Sequence, residues 1–383
     1  MNNHMQKYYI FIGGQKDLSI LELQALLKEE IFALSEDILW VETETDMLKL
    51  QDRLGGTIKI AKELAVVPFE SIEGFLIDYV IEKNPERKKI TLGMNIHPEK
   101  YMKELFPTYS SLKQNVPFSV RWCQMKKNIS SLVTFDQIMS KEVSCEFNIF
   151  CFSGVDYILT ETISCQSPKS YALRDYEKPA RDGKVGMLPP KLAQMLINIS
   201  DNSPYVWDSF CGTGTLVFEA MLMGKTVLGS DYSVDMVKAS LQNISFLRKK
   251  FSDVDFKEED IFFHDVTEKE EIPYNIISEG YLGEALQDMP NYEQLEKTDE
   301  ELSALYKQAF SHFYASGIKQ VTLCVPLYYI EEKNEIMKKT LASIQKSGYN
   351  LRDLFGNNEP VIYSRPHQKV FRQICIFDRR DTK

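Results

Sequence analysis

The sequence predicts an α/β protein: a doubly wound, mostly parallel sheet toward the C-terminal end, with a smaller α+β module before it. Three observations carry that prediction. Residues 206–243, VWDSFCGTGTLVFEAMLMGKTVLGSDYSVDMVKASLQN, run in order through strand, Gly-rich turn, helix, strand and acidic residue, the layout of a ligand-binding βαβ unit. Downstream, β-rich runs alternate with helical segments, as repeated βαβ units do. The N-terminal half alternates short strands and helices without a Gly-rich phosphate turn, which marks a separate α+β module.

In that module, residues 1–166, the run 8–12 reads as a strand and Gly13-Gly14 as a turn. Leu18, Leu21 and Ala25 then recur at helical spacing, with Asp17 or Ser19 available as cap. Further strands are expected at 57–60, 90–96, 118–122 and 157–164. Residues 167–183 are polar, charged and interrupted by Pro168 and Pro179, so they read as the linker. The second domain, 184–383, opens with Pro189 and Pro190, which suit a first helical turn, and an apolar helix over 192–199. Strand 205–207 delivers Asp208, the turn Cys211-Gly212-Thr213-Gly214-Thr215 leads into a helix over 216–223, and Gly224 stops it. The strand 226–229 ends at Asp231. Strands over 262–266 and 274–278 place Asp265 and Glu279 at further strand ends, where ligands gather in such folds. The acidic stretch 284–300 reads as a loop over the site, followed by a helix to 315, a β-rich run at 319–329 and a closing strand at 369–377.

Gly212 and Gly214 allow positive φ and close approach of a ligand. Nineteen residues separate Gly212 from Asp231, the ribose-binding spacing of an adenosine cofactor. A nicotinamide fingerprint wants a third small residue where this chain has Val217, and Asp208 would face a diphosphate with like charge. The same carboxylate suits the cationic amino-acid end of S-adenosylmethionine. Charge therefore favours the sulfonium cofactor over a nicotinamide dinucleotide; the alternative that the glycines only make a tight turn stays open.

With 383 residues, 44% hydrophobic and 26% charged, the chain is a folded protein of two or three domains. Residues 1–30 lack a basic segment followed by an apolar one, and no apolar run approaches a membrane span, so a cytoplasmic, non-membrane protein is expected. The seven cysteines form no CxxC pair and the five histidines no HExxH, so neither a metal nor a disulfide is expected. A net charge of −10 excludes a uniform phosphate-binding coat. Residues 168–191 nevertheless hold six Lys/Arg against three acids, and 361–383 six against two. Arg174, Lys178, Arg181 and Lys184 are thus candidates for an RNA-binding strip, although charge alone fits two solvated segments equally well.

Several of these residues together resemble a known family, the THUMP-domain tRNA methyltransferases that modify the exocyclic amine of guanine, including the position-ten enzymes. The resemblance is carried by Arg174-Asp175-Tyr176 with Lys178-Pro179, by 184–193 (KVGMLPPKLA) and by 208–215 (DSFCGTGT). Weaker likeness lies in 9–26, in 54–60 (LGGTIKI) and in 363–368 (YSRPHQ). It implies a Rossmann-like, seven-stranded methyltransferase domain behind an α+β THUMP-like module that holds tRNA. Carried onto these residues, it implies that Asp208, Gly212 and Gly214 line the methionine part of the cofactor, Asp231 the ribose and Asp265 the adenine amine, with Phe210 and Thr215 also binding the cofactor. It implies tRNA as partner and leaves a small activating protein open.

The chain departs from that family at the acceptor turn. Where members carry Asp-Pro-Pro-Tyr, this sequence reads Glu279-Gly280-Tyr281-Leu282-Gly283. Glu279 is the candidate acceptor of the amine's hydrogens and Tyr281 the candidate base platform. Gly280 in place of proline is expected to loosen the turn, and a misplacement near 1 Å costs roughly a hundredfold in rate. Two readings stay open: an active methyltransferase, or a protein that keeps cofactor and RNA pockets with little or no turnover. A DNA amino-methyltransferase would use the same cofactor unit; the N-terminal likeness favours structured RNA.

Overall fold

The computed structural model describes residues 5–124, 127–140, 144–151, 155–181, 187–257, 259–263, 275–284, 286, 288–330, 333–366 and 368–380. The chain forms two compact units: Met1–Lys16 with Leu27–Arg53 and Thr57–Ser170, and Asp17–Leu26 with Leu54–Gly56 and Tyr171–Lys383. The helical segment 17–26 and the segment 54–56, both assigned to the first module by sequence reading, are therefore pieces of the second unit.

The first unit is an eight-stranded mixed sheet of β1 (Gln6–Ile12), β2 (Phe32–Ala33), β3 (Ile38–Thr43), β4 (Thr57–Pro68), β5 (Lys89–His97), β6 (Ser119–Trp122), β7 (Ser144–Cys151) and β8 (Asp156–Cys165), in the order β2-β3-β1-β4-β8-β7-β5-β6. Alternation along β7 puts Phe147, Ile149 and Cys151 into one apolar layer with Leu76, Leu92 and Leu159. The opposite face carries Glu146 and Asn148, both satisfied by Lys59, whose Nζ lies 2.5 and 2.8 Å from them. Strands β3 and β7 have no counterpart in the sequence reading. β7 is buried on both faces, so its sequence lacks the polar–apolar alternation that betrays a half-exposed strand.

The second unit is a nine-stranded sheet of β9 (Tyr205–Asp208), β10 (Thr226–Asp231), β11 (Glu259–Phe263), β12 (Asn275–Ser278), β13 (Gln320–Ile330), β14 (Lys333–Ile336), β15 (Tyr349–Leu351), β16 (Val361–Tyr363) and β17 (Phe371–Arg379). Seven strands follow one path, β11-β10-β9-β12-β13-β17-β15, with β14 on β13 and β16 on β17. The strands from β11 to β13 along this path are mutually parallel, and β17 runs antiparallel to β13. Adjacent residues of β9 feed opposite layers: Val206 packs with Leu192, Leu196, Val217 and Phe218, whereas Trp207 packs with Phe310, Phe313 and Phe377. The carboxylate of Glu22, fully buried, accepts the N–H groups of Gly55 and Gly56 and an amide hydrogen of Asn198, each at 2.8 Å. A Cβ on Gly55 would stand 2.1 Å from the Lys191 carbonyl oxygen, so only glycine fits there.

Two further elements differ from the sequence reading. The expected linker contains a helix, Pro168–Asp175, whose Tyr171 ring lies under Arg174 and Lys191 at 4.4 and 4.9 Å. The expected loop at 284–300 ends early because a helix starts at Tyr292 and runs to Ala315. Asn291 and Gln294 form a full capping box there, at 2.8 and 2.9 Å. That signal stands in the sequence as N-x-x-Q after Pro290. Among the described residues no helix is long and apolar enough to cross a membrane, and no cluster of three metal-ligating side chains occurs.

Candidate active site

β9 ends at Asp208, which is 3% exposed and sits where the sheet parts between β10 and β12. Ser278 at the end of β12 donates to its Oδ1 at 2.7 Å, and the Phe210 N–H points to the same oxygen at 3.4 Å. Oδ2 has no partner among the described residues. Burial pushes this carboxyl up to about 7, against the hydrogen bonds that favour its charged form.

The turn that follows has Gly212 at φ +49° and Gly214 at φ +81°. The two glycines do different things. A Cβ on Gly212 would meet nothing within 4 Å, whereas one on Gly214 would stand 2.2 Å from the Ser240 hydroxyl. Gly214 thus serves the packing of the turn on the helix Val234–Lys250, and it does not line the cavity. The Gly212 N–H donates to Asp231 Oδ2 at 2.9 Å, and the Ser233 N–H to Oδ1 at 2.8 Å. Both carboxylate oxygens of Asp231 are thereby aimed by the backbone.

Asp208, Phe210, Gly212, Thr215, Asp231, Glu279 and Tyr281 all line one cavity of about 570 Å³. Its wall is largely apolar, with Met187, Leu188, Leu216, Met236 and Leu305 between the acids. Seven sequence-predicted residues are thus brought together. Asp265 and Lys184 lie outside the described residues.

Glu279 follows β12 directly. Its Oε1 accepts from Arg372 Nε on β17 at 2.6 Å, while Oε2 has no partner among the described residues. Burial raises the Glu279 carboxyl above its usual range, with the Arg372 cation pulling the other way. Tyr281 is 41% exposed at the cavity wall. Gly280 sits at φ +73°, and a Cβ there would stand 2.5 Å from the Tyr306 oxygen and 2.7 Å from Leu323 Cδ1. Tyr306, fully buried, donates its hydroxyl to the Tyr281 carbonyl at 2.8 Å. The expected loosening of this turn is therefore corrected: glycine is the residue that lets the turn pack down, and proline, confined near φ −65°, could not take its place.

The proposed basic strip also needs correction. Arg174 is 5% exposed, ion-paired with Glu219 and stacked on Tyr171. Lys178 is 3% exposed and donates to Thr215 Oγ1 at 2.5 Å. Burial lowers its ammonium to about 8. Lys178 holds the end of the Gly-rich turn and Arg174 the helix that follows it, and both are buried. Arg181 alone of the described candidates is exposed. Asn243 completes this support: it accepts from the Ala180 N–H at 2.9 Å and donates to the carbonyls of Ala180 and Thr213 at 2.8 and 2.9 Å.

Sequence reading missed Arg372, Tyr306, Ser278 and Asn243. Ser278 and Asn243 lie beside the motifs but show no role without their partners, whereas Arg372 and Tyr306 sit in no local motif, and Arg372 joins Glu279 across 93 residues.

Parallel strands whose C-terminal ends carry three acids around an apolar crevice define a class: doubly wound α/β proteins that take a ligand at the switch point of the sheet. The fold is similar to that of TrmN from Thermus thermophilus, with a TM-score of 0.51 and 15% identity over 98% of this chain and 100% of that one. No protein-family model matches the chain. In sequence it is 39% identical over 91 residues to the tRNA (guanine(10)-N2)-dimethyltransferase of Methanothermobacter thermautotrophicus, and 37% identical over 59 residues to the protein of that name from Pyrococcus abyssi. The matches cover 23% and 15% of this chain and span 26% and 18% of those relatives' lengths.

Proposed function

We propose that this protein is an S-adenosylmethionine-dependent tRNA methyltransferase that modifies the exocyclic amine of a guanine. The carrying observation is the single cavity that joins Asp208, Asp231 and Glu279 at neighbouring strand ends. The residues fit the cofactor: a buried carboxylate with a free oxygen faces an apolar crevice, which suits a cation attached to an aromatic and aliphatic body. The names of the two sequence relatives support the choice of tRNA and guanine.

When bound, the cofactor supplies an electrophilic methyl group on a sulfonium. Transfer forms an N–C bond, breaks an S–C bond with its electron pair going to sulfur, and releases one proton from nitrogen. Asp208 would hold the ammonium end and Asp231 the ribose hydroxyls. Glu279 Oε2 would accept an N–H hydrogen of the amine and take the released proton. The exposed Tyr281 ring offers the extruded base a stacking surface worth about 1–3 kcal/mol. The first unit acts as the RNA-holding module, of THUMP type, and Arg181 contributes a phosphate contact.

Incubation of the protein with methyl-labelled cofactor and total tRNA tests the reading, with nucleoside mass spectrometry to identify the product. Labelled N2-methylguanosine is expected, and Glu279→Gln should abolish it while calorimetry shows unchanged cofactor affinity. No cofactor binding would overturn the reading; binding without label in tRNA would leave a cofactor-dependent RNA binder.

A further inference from the structure

Glu279 has one more methylene than aspartate, hence one more torsion to fix, and no proline beside it. A side chain so free would spread its carboxylate over several rotamers. The structure supplies the missing restraint from elsewhere. We propose that Arg372 is a positioning residue for Glu279: a clamp reaching across β13 from β17 that fixes one carboxylate oxygen and so presents the other to the amine. The inference rests on the methyltransferase reading above.

The clamp is anchored more firmly than the residue it holds. Arg372 lies on β17, which pairs with β13 over eight consecutive residues, and stands opposite Pro326. Its side chain is 6% exposed. On its other side it is paired with Tyr363 of β16, whose ring centroid lies 5.9 Å from the guanidinium carbon. Tyr363 is in turn bonded through its hydroxyl to Arg365 Nε at 2.7 Å. Tyr363 and Arg365 thereby acquire a role as the brace behind the clamp. Because the bond runs from Nε to Oε1 alone, Oε2 is left open, as an acceptor for substrate requires. Arginine stays charged at every working pH, so the clamp does not let go on titration.

The groups coupled to Glu279 are Arg372, Lys178, Asp208, Tyr306 and Cys324. Arg372 is the nearest cation and its removal has a signed consequence: Glu279 should hold its proton to higher pH. Carboxyl carbon NMR on glutamate-labelled protein reads this without turnover, the Glu279 signal being assigned by its loss in Glu279→Gln. In Arg372→Met the midpoint should rise, because the cation that favours the charged carboxylate is gone. In the transfer assay kcat should fall roughly ten- to a hundredfold, with cofactor affinity at pH 8 unchanged, the loss largest on the acid side and partly recovered toward alkaline pH. Arg372→Lys should restore the midpoint and only part of kcat, since an ammonium keeps the charge without the planar fork. A merely structural role would lower the rate equally at all pH.

An unmoved Glu279 midpoint in Arg372→Met, or a wild-type rate in that variant, overturns the proposal. Should Arg372→Met not fold, Arg372→Lys carries the same rate criterion, and Arg372→Met/Glu279→Gln, which removes both charges, should fold again if the pair is what was broken. Failure to refold would count against the clamp. If the parent protein labels no tRNA, the functional reading falls while the NMR titration still decides whether Arg372 governs Glu279.

Discussion

Replacing Gly280 by alanine adds one carbon at the most crowded point of the acceptor turn. Two costs follow from the geometry. Holding an L-residue at φ +73° costs about 1–2 kcal/mol. The new Cβ would stand 2.5 Å from the Tyr306 oxygen and 2.7 Å from Leu323, and overpacking of this kind costs about 1–3 kcal/mol. The total, about 2–5 kcal/mol, corresponds to a melting temperature lowered by roughly 4–20 °C. Scanning calorimetry of the ligand-free protein measures it. The origin of the loss can be separated by Tyr306→Phe, which removes the oxygen that the Cβ meets but leaves the Tyr281 carbonyl unpaired, at about 1–3 kcal/mol. In the double variant part of the clash is gone, so the two losses should sum to less than their separate values by about 1 kcal/mol. An alanine variant melting within about 2 °C of the parent, or strict additivity, would refute the reasoning.

Further outcomes follow from the same site. Burial pushes the Asp208 carboxyl up to about 7, and a cation binds its ionised form, so cofactor affinity should be full above that pH and fall roughly tenfold per unit below it. Calorimetry across this range checks it; a flat curve would exclude Asp208 as the ammonium partner, and Asp208→Asn should remove the slope. Arg174→Ala leaves Glu219 buried without its ion partner and should cost about 3–5 kcal/mol of stability, while the salt dependence of RNA affinity stays as in the parent. Arg181→Ala should do the reverse, keeping the melting temperature and flattening the salt slope by about one; a steep loss of stability there would contradict its exposure.

What the sequence disclosed and what it withheld divide along sequence distance. Asp208, Gly212 and Asp231 were legible because a strand, a turn and a strand end follow one another within two dozen residues, and periodicity places them. The turn at Glu279 was legible by position but not by conformation, because its need for glycine comes from Tyr306 and Leu323, which arrive from other elements. Arg174 and Lys178 were misread as surface because composition records their charge and not Glu219 or Thr215, 45 and 37 residues on. The capping box at Asn291 stands in the sequence, but the acidic residues around it have the composition of a solvated loop as much as of a helix start. Arg372 could not have been found at all: nothing local distinguishes it from the other basic residues near the C-terminal end.

The carboxylate of Glu22 answers to Asn198, 176 residues later in the chain. During synthesis, therefore, the early segments 17–26 and 54–56 must wait for their partners until the ribosome has passed the helix Pro190–Ile199, long after the strands around them are available to pair. For the same reason a truncated chain beginning after residue 170 would strip Leu18, Leu21 and Glu22 from the layer they share with Leu192 and Leu196. The second unit of this protein is not a cassette that can be lifted out by a single cut.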